Sequence, residues 1–295
     1  MHFAEFLQNH SPILLDGAIG TLLDERGYHL PPPMWSAAVL EQSPSVITDI
    51  HREYVQVGAN LLTTVTFRTT TRVYQDADRA QELNTRAVQC AKTAIDSAPE
   101  VFIAGSIAPL EDCYRPDLVP ENEALYQEHR EQATWLSDSG VDCLLFETMN
   151  TVREAETCAS IGEELAVPFF VSFVCDTPDT LLSGEPVTQA LDQIQKYNPA
   201  AILFNCTPPE IITEILKRQS PNSVIPMGGY ANMGRSQPQQ DGVLSEKISP
   251  GEYRKIVRRW LQLHPILVGA CCGSTPDHIA ALREELTPFQ GGYPE

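Results

Sequence analysis

The sequence predicts an α/β chain folded as a closed (β/α)8 TIM barrel, and three observations carry that expectation. Eight short apolar runs with β-like composition alternate with amphipathic helical patterns. The 295 residues divide into units of roughly 37, in keeping with a fold that needs about 250. A polar or thiol residue ends nearly every apolar run, and barrel enzymes build their sites from those strand ends. An open doubly wound sheet is the rival. It would leave eight strands unclosed, and it would normally carry a Gly-rich phosphate loop after the first strand. Asp16-Gly17-Ala18-Ile19-Gly20 has two glycines there, at the wrong spacing for that loop.

In chain order, the apolar runs begin with Ile13-Leu14-Leu15 and Asn60-Leu61-Leu62-Thr63-Thr64-Val65. Val101-Phe102-Ile103-Ala104, Cys143-Leu144-Leu145-Phe146 and Phe169-Phe170-Val171-Ser172-Phe173 come next. Ala201-Ile202-Leu203-Phe204 is the sixth. Ser223-Val224-Ile225-Pro226-Met227 reads as a weaker seventh, because proline cannot donate to a central ladder. Ile266-Leu267-Val268 is the eighth. Between them, apolar residues at i, i+3 and i+4 predict helices over 77–97, 121–139, 152–165, 209–218 and 251–263. Thr275-Pro276-Asp277 reads as a further helix start, with Thr275 as cap and Pro276 in the first turn.

Composition narrows the function classes. Thirty-nine acidic against twenty basic residues argue against nucleic acid or an anionic membrane as partner. Met1 to His10 lacks a basic stretch followed by an apolar one, and no apolar run is long enough to span a bilayer. The expected compartment is the cytoplasm, where thiols stay reduced. Cys90, Cys143 and Cys158 lie in apolar patterns and read as small core residues, and Cys113 and Cys175 read as structural.

The expected mouth of the barrel collects Asp16, Thr66-Phe67, Ser106, Glu147-Thr148, Ser172, Asn205-Cys206, Tyr230 with Asn232, and Cys271-Cys272. Adjacent strand residues point to opposite faces, so the double cysteine acts together only where the strand bends, and Gly273 permits that bend. Three thiolates suit zinc, and with a fourth position left open they suit a catalytic site. Three buried neutral thiols and a redox pair at Cys271-Cys272 are the other readings. Adjacent cysteines bridge only with strain, and the Cys-x-x-Cys spacing is absent.

Taken together, the motifs resemble the zinc-dependent homocysteine S-methyltransferase family, in its short S-methylmethionine-type branch. The resemblance rests on Leu14-Leu15-Asp16-Gly17-Ala18-Ile19-Gly20-Thr21, Met34-Trp35-Ser36-Ala37, Gly58-Ala59-Asn60 through Thr66-Phe67, Gly105-Ser106-Ile107-Ala108-Pro109 and Phe146-Glu147-Thr148. Asn205-Cys206 and Gly269-Ala270-Cys271-Cys272-Gly273-Ser274-Thr275-Pro276 are its most specific part. The resemblance implies one homocysteine-binding barrel domain over residues 1–295. It also implies one Zn2+ on Cys206, Cys271 and Cys272. Asp16, Gly17, Thr66, Phe67, Ser106, Glu147 and Asn232 would then serve substrate, with Glu147 facing the homocysteine ammonium. Trp35, Tyr230 and Arg68 would meet the methyl donor.

The implied reaction moves a methyl group from S-methylmethionine, or S-adenosylmethionine, to homocysteine to give methionine. A free thiol with a pKa near 8.5 is mostly protonated at neutral pH, whereas a metal-bound one is a thiolate. The betaine-using branch carries tyrosines where this chain has Arg68 and Thr148, so betaine is not the expected donor. Two alternatives stand beside this reading. One is a zinc-binding barrel without methyl transfer, acting as a sensor or structural partner. The other is a methyltransferase using another donor, or another thiol or selenol acceptor.

Overall fold

The computed structural model describes residues 2–95, 98, 100–234 and 246–287. Its first element is α1 (Phe3–Asn9), followed by β1 (Ile13–Leu14), α2 (Gly20–Glu25), α3 (Ser36–Gln42) and α4 (Pro44–Gln56). Next are β2 (Leu61–Thr63), α5 (Thr71–Tyr74), α6 (Ala77–Ala94), β3 (Phe102–Ile107) and α7 (Asn122–Asp138). The middle of the chain gives β4 (Cys143–Met149), α8 (Val152–Leu165), β5 (Phe169–Phe173), α9 (Val187–Ile194) and β6 (Ala201–Asn205). Finally come α10 (Pro209–Gln219), β7 (Met227–Ala231), α11 (Pro250–Leu261), β8 (Leu267–Ala270) and α12 (Pro276–Leu286).

The eight strands form one parallel sheet in the order β1-β8-β7-β6-β5-β4-β3-β2. A parallel bridge from Leu15 to Leu61 joins its two ends. The N–H of Asn60 also donates to Leu14 O at 2.7 Å, and that of Asp16 to Leu61 O at 3.0 Å. The expected barrel is therefore the observed fold, and it is closed.

Alternation within the strands sorts the core into two parts. Ile13, Leu15, Leu61, Phe102, Cys143, Leu145, Phe170, Leu203 and Leu267 pack together inside the barrel. Their neighbours Leu14, Leu62, Ile103, Leu144, Phe146, Val171, Phe204 and Val268 pack outward with the helices. Helix α1 closes the interior, because Phe3, Phe6 and Leu7 join the inner cluster and the Phe6 ring lies 4.8 Å from that of Phe102. Burying each of these phenylalanines contributes about 1.5–3 kcal/mol.

The helices form where local chemistry starts them. Asp76 caps α6 and Thr151 caps α8, each accepting from the backbone N–H three residues on. Ser249 and Glu252 make a capping box at α11, with Pro250 in the first turn. At α12, Pro276 opens the first turn and the His278 ring takes the N–H of Thr275. The predicted helix over 77–97 ends at Ala94, and its positions 96 and 97 lie outside the described residues.

One strand lies four residues later than its sequence signal. Residues 223–226 of that run bend into β7, which takes only its last residue, Met227, and continues as Met-Gly-Gly-Tyr-Ala. A Cβ on Gly228 would come within 2.3 Å of Leu267 O, and one on Gly229 within 2.8 Å of the Ile212 side chain. The packing that demands glycine there removes the β-branched signature by which strands are recognised. Pro226 then stands just before the strand, where its missing N–H costs no ladder bond.

Candidate metal centre

The thiols converge because two strands end differently. β6 runs extended to Asn205, and Cys206 then turns into the left-handed region at φ 48°. For a non-glycine residue this costs on the order of 1–3 kcal/mol and has to be held by its surroundings. β8 ends at Ala270, the N–H of Cys271 still donates to Ala231 O at 2.7 Å, and the chain bends at Gly273 with φ 78°. Cys206 Sγ lies 2.6 Å from Cys271 Sγ and 3.9 Å from Cys272 Sγ, and all three sulfurs fall within 4.8 Å of one another.

The β1 loop braces this turn. Ser274 Oγ accepts from the N–H of Ala18 at 2.9 Å, and Thr21 Oγ1 accepts from the N–H of Gly273 at 2.9 Å. Gly17 is pressed against Ser274 Oγ and the Tyr54 hydroxyl, each 2.8 Å from where its Cβ would stand. The two sequence motifs thus meet in space, and Gly17 acts by allowing that approach.

The donor set fits a thiophilic metal. Tetrahedral Zn–S bonds of about 2.3 Å place sulfurs about 3.8 Å apart. The Cys206–Cys272 spacing already has that value, and the Cys206–Cys271 pair opens by about 1 Å to reach it. Hydrogen bonds from Cys206 and Cys271 hold Cys272 well below the usual thiol range. Cys206, as donor to Cys271 and Cys272, is held above it. Asn232 adds a second sign. Its N–H donates to Thr207 O and the next N–H, of Met233, donates to Cys272 O, so it sits between the two cysteine-bearing turns. Its side chain is fully buried, and neither amide atom has a partner among the described residues. A buried amide left so costs about 1–3 kcal/mol.

A carboxylate pocket lies beside the thiols. The β4–β5 register shifts between Phe146 and Met149, and Thr148 stands at φ 61° in the bulge. Glu147 accepts from Ser106 Oγ and from the Tyr230 hydroxyl, the latter at 3.2 Å. Burial raises its pKa to about 7, against the lowering effect of those two bonds, and the charge of Cys272 adds to the rise. Asp16 takes the N–H and the hydroxyl of Thr63, both at 2.9 Å, and burial still holds it well above the usual carboxylate range. The charge of Glu147 raises it further, so the two carboxyls share one electrostatic environment.

The remaining candidates have different surroundings. The Thr66 hydroxyl donates to Ser106 O at 2.6 Å and pairs with Thr64, within the strand framework. Phe67 is half-buried, and the Arg68 guanidinium lies over its ring at 5.3 Å from the centroid. Arg68 also donates to Pro109 O and Glu111 O, at 3.4 and 3.0 Å, so its charge is spent on the β3–α7 loop. Trp35 is 42% exposed in the long connection after β1. Cys90, Cys143, Cys158 and Cys175 are core residues.

Tyr114 is a neighbour of the site that lacked a sequence signal. The β3–α7 loop brings Cys113 and Tyr114 to the thiols. Burial pushes Cys113 up to about 12, and the charge of Cys272 is among the further causes. Burial also holds the Tyr114 phenol well above its usual range, with Cys206, Cys272, Cys113 and Cys271 each adding to the rise. A lone Cys-Tyr in a polar loop carries no pattern that distinguishes it from any other turn. The Asn205 amide, marked in the sequence by the Asn205-Cys206 motif, ties neighbouring strand ends together. It accepts from Ser172 Oγ at 2.6 Å and pairs in both directions with Thr148.

Comparison with known proteins agrees with this geometry. The family model described as homocysteine S-methyltransferase matches residues 13–286. Homocysteine S-methyltransferase of Escherichia coli is 29% identical over 94% of this chain and 96% of its own length. Selenocysteine methyltransferase of Astragalus bisulcatus is 26% identical over 94% of this chain and 93% of its own. The crystal structure of the E. coli homocysteine methyltransferase MmuM in its metallated form superposes with a TM-score of 0.84 at 26% identity, covering 95% of this chain and 98% of that one. With a barrel, a three-cysteine cluster and a family match that spans both, the chain belongs to the homocysteine S-methyltransferase family.

Proposed function

We propose that this chain is a zinc-dependent S-methyltransferase that moves a methyl group from S-methylmethionine, or S-adenosylmethionine, to homocysteine and releases methionine. The observation that carries the reading is the Cys206–Cys271–Cys272 cluster beside the half-buried Glu147 at one mouth of the barrel. Zinc held by these three cysteines would take the substrate sulfur as its remaining ligand and keep it deprotonated at neutral pH.

The chain's own residues do the rest. Glu147, aimed by the bulge at Thr148 and steadied by Ser106 and Tyr230, receives the homocysteine ammonium. An arriving ammonium favours its ionised form, which burial alone disfavours. Asp16 holds Thr63 and, with Gly17, keeps the β1 loop against the cysteine turn. Asn232 offers its unpartnered amide to the substrate or the metal. These groups fix the sulfur for in-line attack on a methyl group, so the protein contributes alignment and thiol activation. The similarity to a selenocysteine methyltransferase favours a second reading, in which a selenol replaces the thiol of the acceptor.

The test is a donor panel assayed with homocysteine and with selenocysteine, with zinc quantified on the same sample. Methionine formation from S-methylmethionine by a zinc-containing protein supports the proposal. Bound metal without turnover across the panel overturns it in favour of a zinc barrel without methyl transfer.

A further inference from the structure

Resting on the zinc-site reading above, we propose that His278 is a positioning residue for the three-cysteine site, and that its bond to Ile248 holds Cys272 and Asn232 in place for the metal. β7 ends at Ala231 and β8 at Ala270. The N–H of Cys271 still donates to Ala231 O at 2.7 Å. Cys272 and Asn232 each stand one residue beyond that pair, where the sheet no longer orders the chain.

A closed circuit of hydrogen bonds supports them. The N–H of Met233 donates to Cys272 O at 2.8 Å, and the N–H of Ile248 donates to Met233 O at 3.0 Å. His278 Nε2 meets Ile248 O at 3.0 Å, and His278 Nδ1 takes the N–H of Thr275 at 3.2 Å. Thr275 follows Cys272 by three residues, so the circuit begins and ends in the cysteine turn. Met233, Ile248 and His278 are all buried, so a bond lost there leaves a desolvated group without a partner.

The two ring nitrogens of His278 do separate work. The nitrogen that accepts the Thr275 N–H carries no proton, so the neutral ring holds its proton on Nε2 and donates to Ile248 O. Nδ1 thereby serves the start of α12. A histidine kept only to start a helix needs no second bond. That second bond runs through Ile248 and Met233 to the carbonyl of a proposed metal ligand. It also steadies the residue next to Asn232, whose buried amide has no partner among the described residues. Tyr253 acts differently. Its hydroxyl donates to Gly269 O at 2.6 Å and accepts the N–H of Ala231 at 3.1 Å, so it braces the strands before the cysteines rather than beyond them.

The experiment compares the native protein with His278→Asn and His278→Gln. The asparagine oxygen stands in for Nδ1 and leaves Ile248 O without a donor, whereas the glutamine amide nitrogen stands in for Nε2 and keeps that donor. Two quantities are read: zinc affinity by competition with a chromophoric chelator, and amide hydrogen exchange of Met233 and Ile248 in the metal-free protein. Groups that orient a metal ligand are worth about tenfold to a hundredfold in metal affinity. His278→Asn should weaken zinc at least about tenfold and speed exchange at both amides about tenfold. His278→Gln should stay within about threefold of the native protein in both readouts. Native zinc affinity in His278→Asn, equal weakening by the two variants, or greater weakening by His278→Gln overturns the proposal, because a helix-starting role alone predicts that asparagine is the better substitute. His278→Asp, which also accepts without donating, takes the place of the asparagine variant if that one does not fold. If the native protein binds no zinc, the zinc-site reading fails. The exchange contrast between the variants then decides whether His278 holds the cysteine turn.

Discussion

Asn205 and Thr148 hold each other in both directions across the barrel mouth. Asn205 Nδ2 donates to Thr148 Oγ1 at 2.8 Å, and the N–H of Thr148 donates to Asn205 Oδ1 at 3.0 Å. Thr148 is the left-handed residue that follows Glu147, and Asn205 precedes the left-handed Cys206. One buried amide therefore stabilises both backbone turns on which the carboxylate pocket and the first thiol depend.

Asn205→Ala should accordingly act on stability and substrate together. It leaves the Thr148 N–H and the Ser172 hydroxyl without their acceptor, a loss of about 2–3 kcal/mol in urea unfolding. With Glu147 no longer aimed, the KM for homocysteine should rise about tenfold. A variant with lowered stability and an unchanged KM would show that the amide supports only the fold.

The Glu147 carboxyl gives the metal-free, substrate-free protein a specific pH dependence. Burial raises its pKa from 4.5 to about 7. Below about pH 4.5 the folded and unfolded chains both hold the proton, and the group does not bear on stability. Between about 4.5 and 7 the unfolded chain releases it while the folded chain keeps it, so stability falls as pH rises. Glu147→Gln cannot ionise. Its stability relative to the native chain should therefore improve by on the order of 1–3 kcal/mol from pH 4.5 to 8. Urea unfolding at several pH values checks this, and parallel curves for the two proteins would contradict it.

The glycines of β7 should divide sharply from a surface glycine. Gly228→Ala places a methyl group within 2.3 Å of Leu267 O, a backbone atom that cannot rotate away. It should cost about 3 kcal/mol or more, or prevent recovery of folded protein. Gly251, in the first turn of α11, has nothing within 4 Å of the same position. Gly251→Ala should be neutral or stabilise by up to about 1 kcal/mol. Thermal melts of the two variants side by side decide it.

These sites show where the sequence was legible. Runs of Leu, Ile, Val and Phe marked the other strands, because such residues pack on both sides of a parallel sheet. β7 was misplaced because its packing requires Gly228 and Gly229, which carry no such signature. Helix α1 went unread although Phe3, Phe6 and Leu7 have helical spacing, since a helix of only 7 residues in a polar segment is a weak signal. In the site, the three cysteines were legible from chemistry and motif. Tyr114 was not, because its place depends on Glu154, Arg68 and Asn150, which are distant in sequence. The Arg68 guanidinium holds loop carbonyls that only the fold brings near, which its position after Phe67 does not reveal.

The most direct test of the central claim is methionine formation from homocysteine and S-methylmethionine by the native protein and by Cys272→Ala, with bound zinc measured on both. The native chain should carry about one zinc and turn over. The variant should lose most of its metal and at least about a hundredfold in kcat/KM, because the three-thiolate set is broken. Turnover by Cys272→Ala at the native rate would contradict the proposed site.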